Sequence, residues 1–481
     1  MWHFEQPPQF DLADTTFFLS VLKEQHGLFD PATPIHVARA PGRLDLMGGI
    51  ADYSGALVLE LPLAAGTHVA AQISSEPTVL VRTVPHAGFD GMPQFEAQLG
   101  EIAPEGGPLD YAAAQQRFVA DRARRWAAYV IGALVVLHRE CGVRVDRGLR
   151  VLVMSDVPLG RGVASSAALE VAALSAIAAT CGVRLDGRQV ALLAQMVENR
   201  IVGAPCGIMD QLTAACGTQD HLLSLLCQPA ELQAALPLPP NVEVWGIDSG
   251  IEHTVCGTDY TAARVGAFMG YRMIAAHAGL KVQPAGPDRV SVDDPRWGGY
   301  LANVTTEEWE SEHRSRLPKT MAGAEFLRRY GGTTDTVTAV DPERTYAIWA
   351  PTAHPIHEHR RVRQFHDLLR AGEPTPDTLA TLGALMYESH ASYTACGLGS
   401  RGTDQLVELV RAAGPDRGLY GAKITGGGSG GTVAVLAARH AFTEIKHIAS
   451  TYSQKTGREA TIMGGSSPGA VQFGGGWLTA D

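Results

Sequence analysis

A glycine-rich turn followed by two serines is the first segment of this sequence that could bind a ligand. Residues 158–168 read PLGRGVASSAA, and Ser165 and Ser166 open an alanine-rich helix predicted over residues 165–180. Backbone N–H groups at a helix start favour an anion, and serine hydroxyls there can cap the helix or bind Mg²⁺. An ordinary capped helix after a tight turn is the plain alternative. The segment is not a Walker A loop, because no Lys-Ser or Lys-Thr follows the glycines.

A second glycine run, residues 425–431, reads TGGGSGG and lies between two predicted strands. It contains the GxGxxG spacing of a dinucleotide site, but that site needs a helix next, and Thr432 begins a predicted strand instead. A dense glycine run between strands more often lets a ligand or another backbone approach closely. A flexible β-turn is the alternative.

Two charged residues lie among the glycines of residues 41–53, which read PGRLDLMGGIADY. We predict a turn at Pro41-Gly42 and a loop that carries Arg43 and Asp52. A solvated ion pair on the surface is the simplest interpretation of this pair alone.

Two acidic residues flank a turn in residues 198–211, which read ENRIVGAPCGIMDQ. Glu198 lies near the end of one predicted helix, and Asp210 lies near the start of the next. An aspartate near a helix start is most often only an N-cap, so this segment alone does not establish catalysis.

The elements around these segments mix strands and helices without a strict βα order, which indicates an α+β fold. Strands are predicted at residues 36–38, 57–63, 67–73, 149–154, 242–248, 422–424 and 432–437, and helices at 126–140, 165–180, 188–202, 208–215, 377–392 and 403–413. Prolines at 237, 239 and 240 favour two domains, 1–235 and 236–481. Residues 283–316, rich in Pro, Gly and charge, are predicted to form a long surface insertion.

The composition is that of an ordinary globular protein, with 481 residues, 45% of them hydrophobic and 19% charged. Its 39 Lys and Arg against 50 Asp and Glu give a net charge of −11, which argues against a broad surface for nucleic acid or an anionic membrane but not against ATP. Seven cysteines without a CxxC indicate reduced thiols. The first 22 residues lack the basic start of a signal peptide, and the apolar runs are too short to span a bilayer. We therefore expect a cytoplasmic enzyme.

Three histidines at positions 354, 357 and 359 form a small cluster. A metal site and a solvated surface segment are both open, and we expect the solvated segment.

Taken in order, the four segments resemble the motifs of the GHMP kinases and, within that family, its galactokinase branch. Residues 41–53 look like the galactokinase signature PGRVNLIGEHTDY, residues 158–168 resemble the phosphate loop PLGGGLSSSA, residues 198–211 are similar to the stretch ending in CGIMDQ, and residues 425–431 match TGGGxGG. Residues 126–129, WAAY, resemble the WANY stretch that lies beside the adenine. The spelling of residues 47–55 and 198–203 is similar to that of the plant L-arabinokinases.

The resemblance implies a two-domain GHMP kinase fold with its active site in the cleft between the domains, and ATP and Mg²⁺ as cofactors. Asp210 would accept or orient the proton of a sugar C1 hydroxyl, and Arg43 would stabilise the developing charge. Ser166 and Glu198 would hold Mg²⁺. The resemblance further implies Gly160, Gly162, Ser165, Gly427 and Gly428 at the phosphates, Trp126 and Tyr129 at the adenine, and Asp52, Gly207 and Tyr260, with Arg43 and Asp210, at the sugar.

The implied reaction is phosphorylation of the C1 hydroxyl of a galactose-configured sugar, either L-arabinose or D-galactose, which differ only at C6. Gly49 and Ile50 replace the Glu and His of the galactokinase signature, where the Glu helps bind the hydroxymethyl end. A buried C6 hydroxyl without partners would cost about 1–3 kcal/mol, which favours L-arabinose. A bound water or a different loop conformation would keep D-galactose open.

A catalytically silent regulator that binds sugar and ATP is the alternative from another class. The presence of Arg43, Ser166, Glu198 and Asp210 argues against it. Uronic acids are a further alternative substrate, but residues 41–53 add no basic side chain to meet a carboxylate.

Overall fold

The computed structural model describes residues 2–25, 27–85, 88–104, 107–121, 123–252 and 258–480. The strands are β1 Trp2–Gln6, β2 Ile35–Met47, β3 Leu57–Ser74, β4 Thr78–Thr83, β5 Gln94–Gln98, β6 Gly148–Ser155, β7 His221–Leu226, β8 Glu231–Leu232, β9 Leu236–Pro237, β10 Val242–Asp248, β11 Lys281–Gly286, β12 Arg289–Asp293, β13 Thr320–Ala322, β14 Thr345–Ala347, β15 Leu419–Ile424, β16 Thr432–Ala438, β17 Ile462–Met463 and β18 Gly476–Ala480. The α-helices are α1 Ala13–Glu24, α2 Leu99–Ile102, α3 Tyr111–Val119, α4 Ala128–Cys141, α5 Ser165–Thr180, α6 Gly187–Met196, α7 Met209–Cys216, α8 Thr258–His277, α9 Thr306–Glu308, α10 Gly323–Tyr330, α11 Trp349–Arg370, α12 Pro376–Ala395, α13 Arg401–Ala413, α14 Phe442–Thr456 and α15 Ala470–Phe473.

Ten of the described strands form one sheet in the order β1-β18-β2-β3-β6-β4-β5, with β7 paired to β3, β8 and β9. Most neighbours are antiparallel, and β4 and β6 are parallel. The strands β2 and β3 are almost entirely buried because α5 and α7 pack against them. This sheet and its helices form the larger apolar core.

Helix α5 is apolar and rich in alanine on nearly all sides, as expected of a helix that lies inside a core. Its small side chains let it pack closely on β2 and β3. Ala164, directly before it, has a left-handed φ of 60° and ends the glycine turn. The turn and the buried helix therefore fix where Ser165 and Ser166 lie.

A second sheet has the antiparallel order β15-β16-β10-β17, and α12, α13 and α14 pack near it. The chain then returns to the first sheet, where β18 pairs with both β1 and β2. By pairing, residues 476–480 thus belong with the N-terminal half. The division into 1–235 and 236–481 stays a prediction. Of the helices described, none is both long and apolar enough to span a bilayer.

The predicted turn and loop at residues 41–47 are wrong, because β2 continues through Pro41-Gly42 to Met47. Bulges between Pro41 and Arg43 and between Asp45 and Met47 accommodate the proline and the irregular register. Likewise, β3 is one strand over residues 57–74, where the sequence predicts two. Arg43 consequently lies on a buried strand rather than on a solvated loop.

Most residues of the predicted surface insertion, 283–316, are exposed, but its two tryptophans belong to the core, which the prediction missed. Trp297 and Trp309 are 2% and 0% exposed and pack with residues of α8 and α11. The Pro- and Gly-rich composition belongs to the exposed hairpin β11–β12 and the turn at residues 294–300. The two buried tryptophans join this segment to the hydrophobic cluster between α8 and α11.

The three clustered histidines lie on the helix α11. The prediction that they belong to a solvated surface segment is wrong. His354 is 1% exposed, with Nε2 3.1 Å from the carbonyl oxygen of Gly49. His359 Nδ1 accepts from the N–H of Leu57 at 2.9 Å, and His357 is half-buried. In the described ranges, no three His, Cys, Asp or Glu side chains group so as to hold a metal ion.

Candidate active site

Residues from all four motifs surround one cavity of about 600 Å³. The predicted site residues that line it are Arg43, Asp52, Trp126, Tyr129, Gly160, Gly162, Ser165, Ser166, Glu198, Gly207, Asp210, Tyr260 and Gly427. Gly428 lies beside it instead, where an added Cβ would be 2.7 Å from the carbonyl oxygen of Leu398. The fold therefore brings together nearly the whole predicted set.

An arginine and an aspartate form the centre of the cavity. Arg43, on β2, donates from Nε and Nη2 to the two carboxylate oxygens of Asp210, at 2.9 Å each. Asp210 lies in the first turn of α7, and 21% of its side chain is exposed. Arg43 also donates from Nη1 to the carbonyl oxygen of Gly162 at 2.7 Å. This two-point contact fixes the orientation of the Asp210 carboxylate.

Further carboxylates surround the Arg43 guanidinium. Glu60, fully buried on β3, places Oε2 3.3 Å from Arg43 Nε. Burial opposes the charge of Arg43, but the carboxylates of Asp210, Glu60 and Asp45 outweigh burial and raise the pKa of Arg43. Burial, and then the charge of Asp45, raise the pKa of Glu60. Arg43 is therefore a permanent cation at the centre of the site.

The first glycine loop, residues 158–164, forms one wall of the cavity and leads into α5. Gly160 and Gly162 have left-handed φ values of 64° and 70°, which a side chain rarely adopts. Ser165 and Ser166 follow as the first residues of α5. Backbone N–H groups at this helix start, with the helix dipole, can bind an anionic ligand.

Ser166 and Glu198 both line the cavity at the base of this wall, and the nearby Ser166 hydroxyl favours the charged form of Glu198. Glu198 lies in the π-helical turn Val197–Val202 that follows α6, and Gln211 Nε2 donates to its Oε2 at 2.6 Å. Burial, and then the charge of Asp210, raise the pKa of Glu198 to about 7. A buried carboxylate beside a hydroxyl and a second carboxylate suits Mg²⁺, which takes one or two protein oxygens together with phosphates. The residues present therefore fit Mg²⁺.

Asp52 and Gly207 form the opposite wall. Asp52 lies in the single 3₁₀ turn Asp52–Ser54, and a Cβ on Gly207 would lie only 1.5 Å from its Oδ2, so only glycine fits there. Within the described part of the chain, Asp52 Oδ1 is buried without a hydrogen-bond partner. Burial, and then the charge of Asp210, raise the pKa of Asp52 to about 6. An unpaired buried acceptor at a cavity wall suits a ligand hydroxyl.

Ile50 and Tyr260 complete this wall, whereas Gly49 does not. Ile50 lines the cavity with a φ of 53°, and Tyr260, on α8, is 7% exposed. A Cβ on Gly49 would lie 2.0 Å from the hydroxyl of Tyr393 and 2.1 Å from Asp45 Oδ2, away from the cavity. At this point of the wall Ile50, and not Gly49, therefore lines the cavity.

A buried ion pair that the sequence did not reveal supports the second glycine loop, residues 425–431. Lys423, on β15, places Nζ 2.7 Å from Asp45 Oδ2, and both side chains are fully buried. Tyr393 donates from its hydroxyl to Asp45 Oδ2 at 3.1 Å or to the Gly426 carbonyl oxygen at 2.9 Å. A Cβ on Gly426 would lie 3.1 Å from Arg43, so this loop touches the central pair. The sequence offered one signal for this ion pair, namely that Asp45 and Lys423 are charged residues inside the largely apolar strands β2 and β15.

Aromatic rings line the far end of the cavity. Trp126 lies in the 3₁₀ turn Arg125–Ala127 just before α4, and Tyr129 lies in the first turn of α4. Trp126 Nε1 donates to the carbonyl oxygen of Met92 at 2.8 Å. Phe89 meets Trp126 edge to face, with ring centroids 5.8 Å apart. Such a surface can hold a planar ring.

Three family models match this chain. The galactokinase galactose-binding signature matches residues 26–73, the GHMP kinases N terminal domain matches residues 128–218, and the GHMP kinases C terminal model matches residues 368–452. The first two contain Arg43, Asp52, Ser166, Glu198 and Asp210.

Curated relatives agree with these models. L-arabinokinase of Arabidopsis thaliana is 42% identical over 94% of this chain, but the chain spans only 47% of that protein. Galactokinase of Chloroflexus aggregans is 32% identical, with 88% of this chain and 90% of that protein covered. The chain thus spans about half of the first relative and nearly all of the second.

Solved structures share the fold. The galactokinase of Lactococcus lactis, complexed with galactose, superposes with a TM-score of 0.72 at 20% identity, over 94% of this chain and 99% of that one. The mevalonate kinase of Methanococcus jannaschii superposes with a TM-score of 0.54 at 12% identity, over 90% of this chain and 98% of that one. The two sheets and the cavity between two glycine loops are therefore those of a GHMP-type kinase fold. Given a 32% identical relative covered over 90% of its length, the chain belongs to the GHMP kinases, in their galactokinase branch.

Proposed function

We propose that this protein transfers the γ-phosphoryl group of ATP to the C1 hydroxyl of L-arabinose, giving L-arabinose 1-phosphate. The observation that carries the proposal is the Arg43–Asp210 pair, with its two hydrogen bonds of 2.9 Å. The pair lies between a loop suited to phosphates and a wall, Asp52 and Gly207, suited to a hydroxyl-rich ligand.

In this reaction the C1 oxygen forms a bond to phosphorus while the bond from phosphorus to the departing ADP oxygen breaks. Asp210 orients the C1 hydroxyl and takes its proton, and Arg43 stabilises the negative charge of the transferred group. A sugar hydroxyl is a weak nucleophile, so fixed geometry at Asp210 supplies much of the rate.

The nucleotide would bind along the first glycine loop. Backbone N–H groups of residues 160–166, including Ser165, face its phosphates, and Trp126 and Tyr129 lie beside the adenine. Gly427 and Gly428 from the second glycine loop approach from the other side. Ser166 and Glu198 would hold Mg²⁺, which when bound neutralises phosphate charge.

L-Arabinose is favoured over D-galactose by the wall at Ile50. This side chain is apolar and lines the cavity beside Asp52 and Tyr260, and Gly49 offers no side chain. A C6 hydroxyl directed at Ile50 would lose hydrogen bonds at a cost of about 1–3 kcal/mol, or roughly 5- to 150-fold in affinity. L-Arabinose has no C6 and avoids this cost.

The test is kcat/KM for both sugars with one enzyme preparation and identification of the 1-phosphate product. We expect L-arabinose to be preferred by at least about fivefold. Equal values, or a preference for D-galactose, would contradict the pentose assignment and leave the kinase assignment in place. A glutamate at position 49 is an unsuitable probe, because its Cβ would collide with Tyr393 and Asp45. The change Ile50→His alone is the better one, and we expect it to move the preference toward D-galactose.

A silent sugar- and ATP-binding regulator is the second candidate. The oriented Arg43–Asp210 pair favours an enzyme, and release of ADP that depends on added sugar would distinguish the two. As part of the same proposal we place the enzyme in the cytoplasm, with small molecules as its ligands. The net charge of −11 supports the absence of a nucleic-acid or membrane surface.

A further inference from the structure

Arg264, on α8, connects the wall of the sugar site to a segment far from the four motifs. Its Nε and Nη2 donate to the two carboxylate oxygens of Asp335 at 2.8 and 2.9 Å, and its Nη1 donates to the carbonyl oxygen of Cys206 at 3.2 Å. Asp335 also accepts from Thr338 Oγ1 at 2.6 Å. Arg264 and Asp335 are 4% and 3% exposed, so the ion pair is shielded from water and its direction is fixed.

The Arg264 guanidinium also lies close to the part of the wall that contains Asp52. It lies 5.2 Å from the centroid of the Tyr53 ring and 5.6 Å from that of Phe268. Its charge acts on Asp52, the neighbour of Tyr53, whose carboxylate lies against Gly207. The Arg264 side chain thus hydrogen-bonds to the wall backbone at Cys206 and lies over the ring of Tyr53, the neighbour of Asp52.

Behind this wall lies a second cavity, of about 1320 Å³. Asp52, Cys206 and Gly207 line both cavities, and Arg264 lines the second one. Arg264 therefore supports the sugar wall from behind, and any effect on the reaction is exerted through Asp52 and Gly207. Its partner Asp335 lies between the regions that the family models match, residues 128–218 and 368–452.

We propose that the Arg264–Asp335 ion pair is a positioning element of the sugar site, which holds the Cys206–Gly207 backbone and faces Asp52 with a positive charge. The proposal rests on the sugar 1-kinase function proposed above and goes beyond it by assigning a role to residues outside the four motifs. The segment that contains Asp335 thereby influences sugar affinity without contacting the sugar.

The pH dependence of sugar binding gives a readout that a purely structural role would not change. The charged and titratable groups that face Asp52 are Asp45 from β2, Asp210 from α7, Tyr260 and Arg264 from α8, the adjacent Tyr53, and Cys227 after β7. Burial and Asp210 raise the pKa of Asp52 to about 6, and Arg264 opposes that rise. Without Arg264, Asp52 stays protonated to higher pH, and a sugar hydroxyl loses its ionised acceptor there.

Two variants test the pair without leaving an unpaired buried charge. Arg264→Met combined with Asp335→Asn removes both charges, which is milder than removing one partner. Arg264→Lys keeps the charge but loses the planar fork that contacts Asp335 and Cys206 together. Arg272→Met is the matched control, because Arg272 lies on the same helix, is 9% exposed and is stacked 5.5 Å from the Tyr330 ring.

We expect the double variant to raise the Kd and KM for L-arabinose by about tenfold or more, with the KM for ATP within about twofold of wild type. The low-pH limb of kcat/KM for the sugar should move upward by about one pH unit. Arg264→Lys keeps the positive charge, so its low-pH limb should lie at the same pH as that of wild type. Its Kd for L-arabinose should still be about threefold or more above that of wild type. The control should match wild type in all of these measurements.

A folded double variant with the sugar Kd and pH profile of wild type would overturn the proposal. If the double variant does not fold, an unchanged sugar Kd in Arg264→Lys overturns it equally. Calorimetric binding of L-arabinose separates this inference from the proposed function. A wild-type protein that binds the sugar but transfers no phosphate would contradict only the kinase proposal, whereas one that binds no sugar would contradict both.

Discussion

At the scale of single residues, the active-site cavity is dominated by carboxylates around one buried cation. Asp52, Glu198 and Asp210 line it beside Arg43. Burial raises the pKa of Asp52 to about 6 and that of Glu198 to about 7, because both carboxylates have lost much of their hydration. Such groups gain most from a ligand that brings a hydroxyl donor or a divalent cation. The residue pattern therefore favours sugar on one wall and a metal-bound nucleotide on the other.

The first prediction concerns Asp210. The change Asp210→Asn keeps the size of the side chain but removes the proton acceptor, so kcat should fall by roughly 10²–10⁴-fold. ATP binding, measured by calorimetry, should change little. Asp377→Asn is the control, because Asp377 also lies in the first turn of a helix but is exposed. Turnover near that of wild type would remove Asp210 from the proposed role.

The second prediction concerns the pH dependence of stability without Mg²⁺. The pKa of Glu198 is about 7 in the folded protein and about 4.5 in the unfolded chain, so its contribution is fully present below pH 4.5 and is lost as the pH rises to 7. The loss amounts to at most about 3 kcal/mol. Glu198→Gln cannot titrate, so its unfolding free energy should fall less than that of wild type between pH 5 and pH 7.

Two observations check this assignment. Glu325→Gln, on the exposed face of α10, should reproduce the pH dependence of wild type. Added Mg²⁺ with nucleotide should raise the Tm of wild type at pH 7 more than that of Glu198→Gln. Parallel stability curves for wild type and Glu198→Gln would show that Glu198 does not titrate in this range.

At the scale of elements, each functional side chain lies where a regular element begins, ends or is distorted. Ser165 and Ser166 open α5, Asp210 opens α7, and Glu198 lies in a π-helical turn. Arg43 follows a bulge in β2. Bulges and π-turns redirect side chains out of a regular packing surface, which is why they occur near sites. Core helices such as α5 hold these positions rigidly.

The third prediction concerns the segment between α8 and α11. Trp309 is fully buried in its apolar core, so Trp309→Ala should lower the free energy of unfolding by about 3–5 kcal/mol. Phe17→Ala, at a residue that is 59% exposed, should change it by less than about 0.5 kcal/mol. Urea unfolding of both variants measures the difference. A cost below that of the Phe17 control would mean that this segment contributes no core.

At the scale of the whole molecule, the two sheets meet through a buried ion pair. Lys423, on β15 of the second sheet, contacts Asp45, on β2 of the first, at 2.7 Å. Asp45 also accepts from the N–H of Gly49 at 3.1 Å, and its own N–H donates to Thr425 Oγ1 at 2.7 Å. The pair therefore sets how the second glycine loop lies over Arg43.

The fourth prediction tests this connection. Lys423→Met leaves Asp45 charged and unpaired inside the protein, which should cost about 3–5 kcal/mol of stability. The double change Lys423→Met with Asp45→Asn should cost less, because no buried charge remains alone. Thermal and denaturant unfolding measure both. If the single variant were as stable as the double variant, the ion pair would contribute nothing to holding the sheets together.

The sequence by itself determined the local features of this protein. The α5 and β10 boundaries predicted from the sequence, 165–180 and 242–248, coincide with those in the structure. The four motifs and their order also required no coordinates, and they carried the family assignment. These features depend on residues within about one element of each other, through periodicity, glycine turns and helix starts.

Only the tertiary structure decided which residues meet. Arg43 and Asp210 are 167 positions apart, and Lys423 and Asp45 are 378 apart. The loop predicted at Arg43 followed from the neighbouring proline and glycines. In the structure, this segment pairs with β3 and is a buried strand. Likewise, a side chain at position 49 would point at Tyr393, from α12, and not into the cavity. Such contacts depend on how sheets and helices pack across the whole chain, and local sequence preference does not encode that packing.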